Sequence, residues 1–165
     1  MAYRISRNIE ASIIDYLSGQ LTLAGWTNIT IEKTFARIYD IPVDAFENTG
    51  AICVRVSNTT HEKAEIGADS TVRTPSILID IFANNDGQRL DLKDFLVSIL
   101  KSGMPYYEYV ITSGAVSSKI QNGRIRILTL DDDIVNLGID KSALAIYDRY
   151  RHLLALSISL GRVEV

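Results

Sequence analysis

Residues 51–83 read AICVRVSNTTHEKAEIGADSTVRTPSILIDIFA, and the architecture turns on how this stretch is parsed. Ile52, Val54 and Val56 alternate with Cys53, Arg55 and Ser57, a period of two that predicts a strand with one buried face. Ser76-Ile-Leu-Ile-Asp-Ile-Phe82 is a second apolar β run. The polar residues between them, 58–75, far exceed the roughly two to five residues of an ordinary hairpin loop. The pair therefore predicts a hairpin whose arms extend past the sheet, with an extended loop or hairpin arm at about 58–75. Such an arm exposes backbone edges able to pair with a neighbouring chain. Its polar residues His61, Glu62, Lys63, Glu65 and Arg73 become candidate subunit or partner contacts.

Upstream of this hairpin, Ile5, Ile9, Ile13, Leu17 and Leu21 recur every fourth residue. That apolar stripe predicts an amphipathic helix over residues 4–22. Gly25-Trp26-Thr27-Asn28 breaks it, and Ile29 and Ile31 alternate with Thr30 and Glu32 as a short strand would. Residues 35–50 are expected as connecting loop, with one extended piece around Arg37-Ile38-Tyr39.

Downstream, Asn84-Asn85-Asp86-Gly87 supplies cap chemistry for a second helical stripe, Leu92, Phe95, Leu96, Ile99 and Leu100. Lys101, Gly103 and Pro105 mark its stop. Tyr106 to Ile111 reads as a strand, Gly123-Arg124 as a turn, and Ile125 to Leu130 as a further strand closed by Asp131-Asp132-Asp133. Residues 134–142 are expected as loop or a single helical turn. Residues 143–160 then form the longest strand candidate, with Tyr150, His152, Leu154, Leu156, Ile158 and Leu160 on one face. Helix, strands, helix, strands, with no regular βαβ alternation, predicts a single α+β domain over residues 1–165: a mainly antiparallel sheet with two α-helices packed on one face.

Composition agrees with a self-sufficient fold. A chain of 165 residues, 47% hydrophobic and 22% charged, buries roughly 70% of its unfolded surface and needs no disulfide or metal for a core. With 17 Lys+Arg against 20 Asp+Glu, a net charge of −3 offers no global attraction to nucleic acid or an anionic membrane. Ten glycines and three prolines exclude collagen-like and low-complexity classes. No run approaches the roughly 18 apolar residues of a membrane helix. The basic start, Met1 to Arg7, leads to Asn8 and Glu10 instead of an apolar run, so a secretory signal is not expected. Cys53, the one cysteine, has no intramolecular partner, and a reducing cytosolic setting follows as the expectation.

Few constellations carry chemistry. Cys53 with His61 or His152 forms a candidate nucleophile and base combination, the basis of a small cysteine hydrolase as an alternative reading. A cysteine inside an alternating strand is more simply an apolar filler. Asp131, Asp132 and Asp133 offer oxygens to a hard cation, yet neighbours on a strand end point in opposite directions, so they read as a solvated acidic loop. Asp80, Asp86, Asp91 and Asp94 read as solvated acids, with Asp86 as a first-turn helix charge. No glycine-rich phosphate loop occurs. Lys119, Arg124, Arg126, Arg149 and Arg151 would form a positive strip on sheet edges, but the acids beside them favour a mixed surface or subunit contact over nucleic-acid binding. Tyrosine and arginine anchor protein contacts, which makes Tyr106, Tyr107, Arg149 and Arg151 further candidate contacts. No catalytic residue, cofactor or metal ligand is expected.

The order of these features resembles the tail terminator, or tail-completion, proteins of the neck of long-tailed bacteriophages. The resemblance spans nearly the whole chain. It rests on the helix Ile5 to Leu21, the strand Ala51 to Ser57, the long polar stretch, the strand Ser76 to Phe82, the helix Asp86 to Lys101 and the closing strand Tyr147 to Leu160. It implies a structural, non-enzymatic virion protein that forms a ring, hexameric in that family, caps the tail tube, ends tail polymerisation and joins the tail to the head. The implied partners are further copies of the chain, the tail tube protein and the head–tail connector, with DNA as passing cargo and no membrane. Assembly in the host cytoplasm and residence in the virion neck follow. Asp131, Asp132 and Asp133 would lie on a lumen or loop, where acids keep DNA from sticking. The closing strand suits a head-completion or connector protein of the same virion equally well.

Overall fold

The computed structural model describes residues 4–63, 71–135 and 140–161. Helix α1 spans Ile5–Leu23, β1 Ile29–Glu32, α2 Phe35–Tyr39, α3 Val43–Phe46, β2 Gly50–Lys63, β3 Thr71–Ala83, α4 Asp86–Leu100, β4 Met104–Thr112, β5 Ala115–Ile134 and β6 Tyr150–Gly161. The six strands form one curled sheet in the order β1-β2-β3-β6-β5-β4. Only the β1–β2 pair is parallel; the other four pairings are antiparallel. The chain is α+β, and both long helices lie on one face of the sheet, as the alternation of the sequence requires.

The stripe of α1 is fully used: Ile9, Ile13, Leu17 and Leu21 are at most 3% exposed. They meet Leu92, Leu96 and Leu100 of α4 and the inward side chains Ile52, Val54, Ile77, Ile79, Ile81, Leu154, Leu156 and Ile158. Each such side chain contributes roughly 1.5–3 kcal/mol of transfer free energy. Curling brings both sheet edges to α1, which packs on β4 at one edge and on β2 and β1 at the other, while α4 covers β3 and β6. The α4 start is capped as expected: the Asn85 side chain accepts from Gln88 N at 2.8 Å, and Gln88 Oε1 accepts from Asn84 N at 2.8 Å. At its end Gly103 sits at φ 71°, and a Cβ there would lie 2.6 Å from the Ile125 carbonyl oxygen.

Four local expectations are corrected. Residues 35–50 are not an extended connection; they carry the short helices α2 and α3, which lay Ile38 and Phe46 over Ala51, Cys53, Phe82 and Tyr147 on the sheet's second face. The Gly123-Arg124 turn does not exist. β5 runs straight through it, and Gly123, at φ 107°, relieves the register shift between Pro105 and Tyr107 on β4; glycine is what a bulge with positive φ requires. The reversal falls at Ser113 and Gly114, with φ of 51° and 84°, the all-positive pattern of the tight hairpin turn whose twist matches its strands. Asp131, Asp132 and Asp133 lie inside β5, which ends at Ile134, and form no loop. Finally, β6 begins at Tyr150, not residue 143, because Lys141–Ala143 and Ile146–Asp148 are single 3-10 turns; β5 is the longest strand. Its predicted face holds, with His152, Leu154, Leu156 and Ile158 buried. Among the described residues no helix is long and apolar enough to cross a membrane.

Candidate functional site

Two hairpins outrun the sheet, and the pairing registers fix where they go. β6 pairs with β3 only from Ser76 onward. Pro75 comes immediately before that last partner; having no N–H, it has no donor to offer on the β6 side, while the β2 ladder continues through it at Thr59. β1 pairs with β2 only as far as Cys53. Among the described residues, 59–63 and 71–75 therefore pair only with each other, as a two-stranded arm. The described residues of the polar stretch are strand, and a register shift between Val56 and Asn58 lies at their start. Likewise β6 reaches β5 no further than Arg124, so residues 115–123 pair with β4 alone and make a second arm. Because the C-terminal end of β6 pairs with Ser76 of β3 and Arg124 of β5, where the two arms begin, both arms leave the same end of the sheet.

The second arm is braced at its base by α1. The Ser12 hydroxyl accepts from Tyr107 N at 2.9 Å, satisfying part of the free β4 edge. Asp15 Oδ2 accepts from Tyr109 Oη and from Lys119 Nζ, each at 2.8 Å. Partial burial pushes the Asp15 carboxyl up, but these two hydrogen bonds outweigh it and hold the group below its ordinary value. Burial and the bond to Asp15 together push the Tyr109 phenol up, and the same carboxylate pushes the Lys119 ammonium up. Beyond the brace, residues 110–118 carry no charged side chain. Val110 and Val116 are 43% and 58% exposed there, and Ile120, opposite Glu108 on the base side of the brace, is 61% exposed.

Two ionic clusters lie nearer the sheet's centre. On the second face Asp80, 2% exposed, accepts from Arg151 Nη2 at 3.2 Å and faces Arg55 Nη2 at 3.5 Å. Arg151 also reaches Asp148 at 3.1 Å and stacks on Phe82 and Phe35, while Arg55 stacks on Phe35 at 4.5 Å. Asp80 is therefore an interior anchor and not a solvated acid: β2, β6 and the rings of Phe35 and Phe82 enclose it. On the helix face Arg89 Nη1 lies 2.9 Å from His152 Nδ1. Arginine only donates, so Nδ1 accepts. The ring proton then sits on Nε2, which donates to Asp132 at 3.2 Å. Asp86 closes this chain on Arg89 at 2.9 Å. Asp132 shares the helix face with its register partner Leu154, which leaves Asp131 and Asp133 to the other face.

The remaining candidates sort by this geometry. His61, Glu62, Lys63 and Arg73 are exposed on the first arm, with His61 opposite Arg73; Glu65 lies outside the described residues. Tyr107 is half-buried beside Tyr109 and under Lys119. Tyr106 is fully buried within hydrogen-bond distance of Asn8, and Arg151 belongs to the Asp80 cluster, so neither is a surface contact. Arg149 donates to the Leu144 carbonyl at 3.1 Å. The basic strip is dispersed: Lys119 bonds Asp15, Arg124 bonds the Ser102 carbonyl, and Arg126 shares its strand with Asp131 and Asp133. Cys53 is fully buried on the face opposite His152, and burial pushes its thiol up to about 11. His61 lies eight residues further along the same strand, about 26 Å away at the usual rise. No nucleophile–base pair forms from these three. Among the described residues no group of three or more His, Cys, Asp or Glu is placed to share a metal.

The second arm, the Asp80 cluster and the Arg89–His152–Asp132 chain were missed at the level of sequence. Only the arm had a local signal, the Ser113-Gly114 dipeptide between alternating runs. No protein-family model matches the chain, and a search of the curated proteins finds no relative.

Proposed function

We propose that this chain is a structural ring subunit of a bacteriophage neck, capping the tail tube, ending its growth and joining it to the head connector. The observation that carries the reading is the pair of two-stranded arms leaving one end of the sheet, their outer edges paired with no further strand among the described residues. An edge strand left open on a folded domain is a template for another chain, and arms on a compact body are suited to reaching a neighbour's sheet. Behind them the two long helices pack against the sheet over one continuous core.

The interior polar groups fit the same role. Asp80 with Arg55 and Arg151, and His152 with Arg89 and Asp132, engage one another across strands and helices instead of converging on a cleft. Cys53, the one thiol, is enclosed and far from the exposed imidazole. Electron microscopy of the purified full chain, alone and mixed with polymerising tail tube, tests the reading. Closed rings and tubes of arrested length with a ring at one end are expected. A strict monomer that leaves tube growth unaffected overturns it.

A further inference from the structure

Four buried side-chain atoms among the described residues have no hydrogen-bond partner, and three of them, Arg55 Nε, Arg151 Nε and Asp80 Oδ2, belong to the ionic cluster on the sheet's second face. Such atoms are rare in folded proteins, because a buried donor or acceptor left unpaired gives up its hydration with nothing in return. The pairing registers bring these three together. Asp80 pairs with Cys53 on one side and with Leu153 on the other. Arg55 and Arg151, each two residues from those partners, are therefore its diagonal neighbours on the same face, within reach of long side chains.

In a guanidinium, Nε–H and Nη2 share one edge of a rigid fork. The Nη2 atoms of Arg55 and Arg151 lie 3.5 and 3.2 Å from Oδ2 and Oδ1 of Asp80, so both Nε–H bonds are turned toward the same carboxylate. The Arg55 contact is an ion pair too long for a hydrogen bond, whose N···O distance ends near about 3.2 Å, and Oδ2 is left without a donor. Phe35 carries both guanidiniums, 4.5 and 5.3 Å from its centroid, and Phe82 carries Arg151 at 4.8 Å; this stacking holds the two planes in place. The Arg55 side chain stays 38% exposed, which leaves the cluster open to solvent on that side.

We infer that this cluster is the seat of a resident water molecule, which donates to Asp80 Oδ2 and accepts from Arg55 Nε and Arg151 Nε. The chemistry of the three atoms selects the occupant. An anion would accept from both arginines but face the Asp80 carboxylate; a cation would suit the carboxylate but face two guanidiniums. The group required donates once and accepts twice, and water, with two hydrogens and two lone pairs, does so with one hydrogen to spare. About three hydrogen bonds is also what a buried water ordinarily makes. Bridged in this way, Arg55 of β2, Asp80 of β3 and Arg151 of β6 form one hydrogen-bond network beside Phe35 of α2, and Arg55 joins it without closing on Asp80 directly. The inference is independent of the ring reading.

The test uses the wild-type full-length chain in two measurements. In a crystal structure at a resolution that shows ordered waters, one water is expected within hydrogen-bond distance of all three atoms. In solution, at mildly acidic pH where arginine side-chain exchange is slow, the Hε protons of Arg55 and Arg151 are expected to show nuclear Overhauser cross-peaks to water with the sign of a long-lived bound molecule. Arg124, an exposed residue whose Nη2 donates to the Ser102 carbonyl, serves as the control and should report bulk water alone. A direct Nε to Oδ2 hydrogen bond with no water between, a buffer ion seated on the arginines, or Hε protons of Arg55 and Arg151 that behave like that of Arg124 would each overturn the assignment.

Discussion

Cys53 and Asp80 face the same side of the sheet as register partners on β2 and β3, and their opposite treatment shows what that face is for. Cys53 fills a small apolar core with Ala51, Phe82 and Phe46. With the thiol enclosed and pushed up to about 11, thiolate is scarce at neutral pH and reagent cannot reach it. Labelling of the native protein with iodoacetamide at pH 7.5 should therefore be negligible and become complete in denaturing urea. Rapid native labelling would restore the hydrolase reading. Asp80 is the counter-charge for Arg151, whose side chain is 13% exposed. Removing one partner of a buried pair costs about 3–5 kcal/mol when the other is left stranded, and Arg151 would keep Asp148 at 3.1 Å. Asp80→Ala should therefore lower stability by less than that in urea unfolding, with Asp80→Asn less severe still because it accepts from Arg151. The sequence showed Cys53 as filler through its alternation. It showed Asp80 as an ordinary surface acid, because nothing local announces that Arg151, 71 positions away, and Phe35 enclose it.

At the scale of elements, legibility followed length and period. The stripes of α1 and α4 and the alternation in β2, β3 and β6 were readable because each repeats over several turns or residue pairs. The helices α2 and α3, five and four residues long, were not; so short a helix is held by tertiary packing and leaves no period to read. β5 was cut short on paper because Gly123 looks like a turn residue until its strand partner is known. The brace between α1 and the second arm gives a pH signature. Asp15 is held below its ordinary value, so its contribution is present above that value and is lost as pH falls through the folded one. Lys119 and Tyr109 are raised, so theirs is present below their ordinary values and lost as pH rises toward the folded ones. Both members of the Asp15–Lys119 pair are more than 40% exposed, and screening keeps the effect under about 1 kcal/mol. Asp15→Asn should flatten the stability profile below pH 4 by that amount in urea titrations at stepped pH. An unchanged profile would contradict the brace.

At the scale of the whole molecule, the α+β class and the shared face of the long helices were legible, while the arms were half legible. The polar stretch after Ser57 announced that something leaves the sheet, but not that β6 stops short of it at Ser76 and also short of the second hairpin at Arg124. Those limits are properties of three strands together and have no signature in any one of them. They turn a hairpin and a meander into two arms at one end of a body, and on that geometry rests the claim that this chain works through its contacts with copies of itself. Native mass spectrometry of the full-length protein, across a concentration series at near-physiological ionic strength, measures that claim directly. A single closed oligomer of fixed stoichiometry, six under the tail-terminator resemblance, is the expected result. A monomer at every concentration, or an open-ended ladder with no preferred size, would contradict it.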